Sequence, residues 1–250
     1  RRLLSIGLLL ILLVVAANTI LDINYDGSTN GCGPADLLVE PSAMSEGAVL
    51  QWLDGREAYP RDKELRANGF TPLTMSMESA REALVQIIAD DPEADCRPYY
   101  VLLLTDGYQQ CPGVDASDPG YRAQVASQLE DIAEDLRGLR VQGSRVDVRT
   151  FVVGFGPGTA FATELDQMAR AGGTAVDANG RPDLLNGTAY QANDPAGLVA
   201  ALGDAVGNAR PRELCDGVDN DCDGATDEDF PQLGRPCRVG SGGCARDGVI

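Results

Sequence analysis

Residues Tyr100–Leu104, YVLLL, are large and apolar at every position and lie between Pro98 and Thr105-Asp106-Gly107. A strand with one wet face alternates apolar and polar residues, whereas a run that is apolar at every position leaves no face for water. Such a strand belongs inside a parallel sheet with helices on both sides, so the run predicts an α/β fold. Open α/β sheets bind ligands beyond the carboxyl ends of their strands, and Asp106 stands at that end.

The flanking residues agree. Thr71 reads as a helix N-cap with Pro72 at the first helical position, followed by Leu73, Met77, Ala80, Leu84, Ile87 and Ile88 at helical spacing. Val125, Leu129, Ile132, Leu136 and Leu139 predict a second helix, and Val146 to Phe155 a second buried strand. A third helix is expected from Ala160 to Ala171, with Phe161, Leu165 and Met168 on one face. Thr188 to Gln191 reads as an edge strand, and Asp194-Pro195 opens a last helix that keeps Leu198, Leu202 and Val206 on its core side. This alternation predicts a doubly wound, mostly parallel, Rossmann-like sheet with helices on both faces.

Four segments in this order, GFTPL at 69–73, LLLTDG at 102–107, VRTFVVGFG at 148–156 and AYQANDPAGLVAAL at 189–202, resemble the von Willebrand factor A-type (VWA) domain. The resemblance covers residues 20–209. In that family a divalent metal at the top of the sheet is held by an Asp-x-Ser-x-Ser loop, a threonine before a helix and the aspartate of a Thr-Asp-Gly strand end. The resemblance implies Thr71 and Asp106 as metal ligands here, with Mg2+ or Mn2+ as the ion and a carboxylate of a partner protein as its further ligand. The Asp-x-Ser-x-Ser loop itself stands at no position of the sequence.

Charge and composition narrow the function. A formal net charge of -18 repels nucleic acid rather than gaining affinity by counterion release. The chain has no histidine, which removes Ser-His-Asp and Cys-His catalysis and histidine-ligated zinc or copper. No enzymatic activity is expected. Residues 1–19 begin with two arginines and are then almost wholly apolar, the pattern of a secretory signal or anchor, with a buried central strand or helix as the alternative. If kept, this segment is the expected membrane contact. Thr19 to Asn24 and Asp36 to Glu40 read as a hairpin, and Ser45 to Asp54 as a short helix. Asp22, Asn24 and Asp26 resemble the start of a calcium loop but read as an Asx-rich turn, since Gly33 stands where the bidentate acid is needed.

Beyond Arg210-Pro211 the composition changes. Residues 213–229, ELCDGVDNDCDGATDED, carry eight acidic residues and no basic one, too little apolar surface to build a core. Asp219, Asp221 and Asp223 fall at the first, third and fifth positions of a calcium loop, with Gly224 at the sixth and Asp227 at the ninth. Phe230 occupies the twelfth, so Asp227 or Glu228 is expected to complete the shell. An Asp-x-Asp phosphatase using Asp221 and Asp223 is disfavoured, because these aspartates do not end a buried strand. The stretch resembles the short metal-binding repeat of the MopE type, found in secreted and surface proteins of bacteria, and thrombospondin type 3 calcium repeats. Carboxylates without histidine favour calcium over copper.

Seven cysteines at 32, 96, 111, 215, 222, 237 and 244 beside an export-like start point to disulfides. Cys96 and Cys111 flank the 99–105 strand and start ~23 Å apart at its opposite ends, which disfavours that pair; Cys32 with Cys111, both at the upper edge, is preferred, the connectivity otherwise staying open. The sequence therefore predicts an exported or cell-surface, non-enzymatic protein. Its parts are an apolar segment (1–19), a VWA-like α/β domain (20–209) and a small, irregular, acidic Cys-rich calcium module (210–250).

Overall fold

The computed structural model describes residues 9–13, 35, 71–92, 94, 98–159, 162–209, 217, 219, 225–228, 230, 236–239 and 246–249. The expected hairpin arms at 19–24 and 36–40, the helix at 45–54, Phe161, Asp221 and Asp223 lie outside these residues. In chain order the elements are β1 (Leu9–Leu13), α1 (Leu73–Asp90), β2 (Tyr99–Thr105), α2 (Pro119–Arg137), β3 (Leu139–Val141), β4 (Ser144–Val146) and β5 (Val148–Phe155). There follow α3 (Thr163–Ala171), β6 (Tyr190–Ala192), α4 (Pro195–Ala209), β7 (Pro236–Val239) and β8 (Arg246–Val249). None of the described helices is long and apolar enough to cross a membrane.

Four strands form one sheet in the order β1-β2-β5-β6, and every neighbouring pair is parallel. β2 lies between two partners: Tyr99 to Leu103 pair with Leu9 to Leu13, and Tyr99 to Thr105 pair with Val148 to Gly154. Of the two readings of the first apolar segment, the structure draws Leu9–Leu13 as a strand.

The unbroken apolar character of β2 follows from what covers it. Tyr99, Val101 and Leu103 face a cluster built from α1, α2 and α3, including Leu84, Leu129, Leu136 and Leu165. Tyr100 and Leu102 face the opposite cluster, with Phe151, Val153, Tyr190 and the α4 residues Ala201 and Ala205. Helices thus pack on both faces of a parallel sheet, and each alternate residue of β2 has its own core. Burying one such leucine contributes about 1.5–3 kcal/mol.

Several expected boundaries shift. Leu139 is buried but begins β3, because Gly138 closes α2 with its N–H on the carbonyls of Glu134 and Asp135. Val146 belongs to β4, which turns back on β3 through Gln142 and Gly143, both at positive φ (50° and 93°). Two positive φ values match the right-handed twist of a hairpin, so the expected single strand from Val146 is a hairpin arm followed by β5. The edge strand is Tyr190–Ala192, since Thr188 instead bridges Val176. Asp194 caps α4 as expected, its carboxylate accepting from the Gly197 N–H at 2.8 Å. Leu198 and Leu202 are half-buried against the second cluster. β7 and β8 form a separate antiparallel hairpin in the tail.

Desolvation raises the ionisation of the Tyr100 and Tyr190 phenols above the ordinary tyrosine value, with smaller opposing help from Arg149 and from the Asn208 hydrogen bond. The folded state therefore holds these protons more tightly than the unfolded chain. Their contribution to stability is complete below the ordinary tyrosine pKa and is lost as pH rises through the folded value. Urea midpoints are expected to fall as pH is raised past about 10, and Tyr190→Phe to flatten that fall.

Candidate functional site

Thr105, fully buried, ends β2 and shapes the turn beyond it. Its hydroxyl donates to the Gly107 carbonyl at 2.8 Å and accepts from the Gly107 N–H at 3.3 Å. Asp106, between them, is exposed at the carboxyl edge of the sheet. The loop then runs back across the start of α1. Thr71 and Gln110 form an isolated antiparallel bridge, each N–H donating to the other's carbonyl at 2.9 and 3.0 Å. The two residues taken from the VWA resemblance therefore lie on segments bonded to one another, both beyond the end of β2.

Thr71 does not cap α1. The N-cap position is Pro72, which has no capping side chain, and Thr71 is committed through its backbone to Gln110. The capping oxygen comes from Gln109, whose amide oxygen accepts from the Thr74 N–H at 2.8 Å. Its amide nitrogen donates to the Tyr121 hydroxyl at 3.1 Å, which fixes the orientation of the group. One nearly buried side chain thus joins the start of α1 to α2. Gln109→Leu is expected to cost about 1–3 kcal/mol by stranding the Thr74 N–H, read as a lowered urea midpoint.

Two glycines, Gly154 within β5 and Gly158 just beyond it, approach this edge closely. A methyl group on Gly158 would fall 2.6 Å from the Asp106 carbonyl oxygen, and one on Gly154 only 2.7 Å from the Thr159 hydroxyl. Beside the same loop, Arg122 of α2 lies over the Tyr108 ring at 5.0 Å and binds both oxygens of Glu164 at 2.9 and 3.2 Å. Ser117, Ala126, Ser127, Thr163 and Gln167 help line an open cleft of about 440 Å³ between α2 and α3. Cys111 is disulfide-bonded. The expected pairing with Cys32 lies outside the described residues.

In the tail, Asp227 is fully enclosed with φ at 58°, and both its carboxylate oxygens accept from the Gly217 N–H at 3.2 and 3.3 Å. Aspartate is among the few residues that adopt such a left-handed conformation at modest cost. Asp219 and Glu228 are half-buried. Gly217 and Asp227, so joined, flank Asp219, Asp221 and Asp223 in the sequence.

As a metal site the sheet edge offers one exposed carboxylate, Asp106, and one hydroxyl, Thr71. Among the described residues no three His, Cys, Asp or Glu side chains are gathered in a ligating group. Carboxylate and hydroxyl oxygens are hard donors, the kind that Mg2+ and Mn2+ take. Sequence reasoning missed Gln109, Arg122, Glu164, Gly158 and Thr159. Only the glycine spacing of GFGPG at 154–158 hinted at a close approach. No protein-family model, no curated protein and no solved structure matches the chain.

Proposed function

We propose that this is an exported or cell-surface, non-enzymatic protein whose parallel α/β domain binds a partner protein at the carboxyl edge of its sheet, in the manner of VWA domains. The observation that carries the reading is Asp106, exposed at the end of the central strand and tied through Gln110 to Thr71. Asp106 supplies the charge and Thr71 a neutral oxygen to Mg2+ or Mn2+. A metal so held has few anionic ligands and takes up a carboxylate offered by the partner. In the tail, Asp219, Asp221, Asp223, Asp227 and Glu228 bind calcium.

The test is calorimetric titration of the full chain with Mn2+. Asp106→Ala is expected to remove one binding component and Thr71→Val to weaken it. A Mn2+ isotherm unchanged by Asp106→Ala sinks the sheet-edge assignment. A second reading is a structural surface protein that takes up metal only in its tail. The bond between Asp227 and Gly217 favours it, because it already joins residues that flank the acidic loop. Calcium uptake without any Asp106-dependent Mn2+ component would decide for this second reading.

A further inference from the structure

We propose that the turn at 156–159, through Gly158 and its anchor Thr159, is the positioning element that sets where Asp106 stands. The inference rests on the sheet-edge reading above.

Gly158 is absent from the residues at positive φ, so its backbone asks for no conformational freedom. What glycine supplies there is room. An added methyl would lie 2.6 Å from the Asp106 carbonyl oxygen and 3.7 Å from both the Asp106 carbonyl carbon and Gly107 Cα. The nearest obstacle is backbone, so it cannot be relieved by turning a side chain, and either Asp106 or the turn must move.

The turn itself is held from the other side. Gly156, at φ 82°, donates its N–H to the Ala192 carbonyl at 2.7 Å, fixing the turn to β6. Thr159 is buried to 1% exposure, and its hydroxyl lies 3.0 Å from the Gly156 carbonyl and 3.1 Å from Oε1 of Gln191. Gly154 leaves the space that Thr159 fills: a methyl there would meet the Thr159 hydroxyl at 2.7 Å and the Gln191 side chain at 2.9 Å. Two glycines thus serve one arrangement. The first admits the threonine that locks the turn, and the second lets the locked turn press against the Asp106 backbone. Neither Gly158 nor Thr159 offers a ligand itself; they act through Asp106.

The experiment compares Gly158→Ala, Thr159→Val and Thr159→Ser with wild type and Asp106→Ala in the full chain. Mn2+ calorimetry, hydrogen exchange of residues 105–110 and thermal melts are the readouts. Gly158→Ala is expected to weaken the Asp106-dependent Mn2+ component by about tenfold or more, since ligands must be held to within about 0.5 Å. Thr159→Val removes one buried hydrogen bond and is expected to weaken it by about fivefold. Thr159→Ser keeps the hydroxyl and is expected to restore wild-type affinity. Exchange at 105–110 rises in the first two variants and not in the third.

If Gly158→Ala fails to melt cooperatively, the two Thr159 variants decide. Folded Gly158→Ala and Thr159→Val that bind Mn2+ and exchange as wild type overturn the proposal while leaving the Asp106 site in place. Where Asp106→Ala itself changes nothing, the metal reading falls and the exchange at 105–110 alone decides the positioning role.

Discussion

Replacing Arg122 by alanine lowers the unfolding free energy by about 2–4 kcal/mol, and replacing Glu164 by alanine costs about 1–2 kcal/mol. The asymmetry comes from where the two charges sit. Glu164 is 2% exposed and takes its cationic partner from a side chain that is 32% exposed. Without Arg122 the carboxylate is left enclosed in a low-dielectric surrounding with its desolvation uncompensated. Without Glu164, the guanidinium still has water on one side and the Tyr108 ring at 5.0 Å on the other. Urea unfolding of both single variants and of the double variant measures this directly. Equal costs for the two singles would show that water reaches the Glu164 carboxylate.

Calcium is expected to protect residues 213–230 against proteolysis and hydrogen exchange, Mg2+ to protect them poorly, and Asp221→Ala to abolish the protection. Eight acidic residues between 213 and 229 repel one another with no basic residue to offset them. An ion that gathers six or seven of their oxygens removes the repulsion and orders the loop. Mg2+ demands a smaller octahedral shell and gives up its water reluctantly, so the same loop suits it badly. For a site of about 10⁻⁴–10⁻³ M affinity, 10 mM calcium stabilises the loop by about 1.4–2.7 kcal/mol. Asp227 is already drawn in against Gly217, so its variant Asp227→Asn should loosen the loop even without calcium. Calorimetry with intact disulfides and no calcium uptake up to the millimolar range would leave this segment an acidic spacer.

What the sequence revealed was governed by local chemistry. The strand Tyr99–Thr105 was legible because both its faces are buried, so no alternation interrupts it. The Asp194 cap was legible because a cap acts within three residues, and its bond to the Gly197 N–H is of that kind. Thr71 misled for the converse reason. Its residue type favours capping, but a bridge to Gln110, brought near only by the fold, takes its backbone, and Gln109 caps the helix from 35 residues away. Leu139 continued the helical spacing of Ile132 and Leu136 past Gly138, where the backbone had already turned out of the helix. Gln142 gave no sign of its positive φ, which asparagine or glycine would have signalled. Asp106 could be placed at the sheet edge because it ends an apolar run, whereas Thr71 was named as a ligand only through the VWA resemblance. The contact of Gly158 with Asp106 could not be read, because it depends on the distance between two turns.

The parallel pairing of Leu9–Leu13 with Tyr99–Leu103 also governs how the chain reaches its structure. Leu9 meets Tyr99 ninety residues further along, and no hairpin can bring them together. The long stretch of chain between them must fold back before the pair can form. Until it does, five consecutive leucine and isoleucine residues, LLILL, lack the backbone hydrogen bonds that β2 provides. Closure of this pair is thus a long-range event of the kind that slows folding, and β1, the first of the described strands, is exposed to mispairing with another chain until it happens.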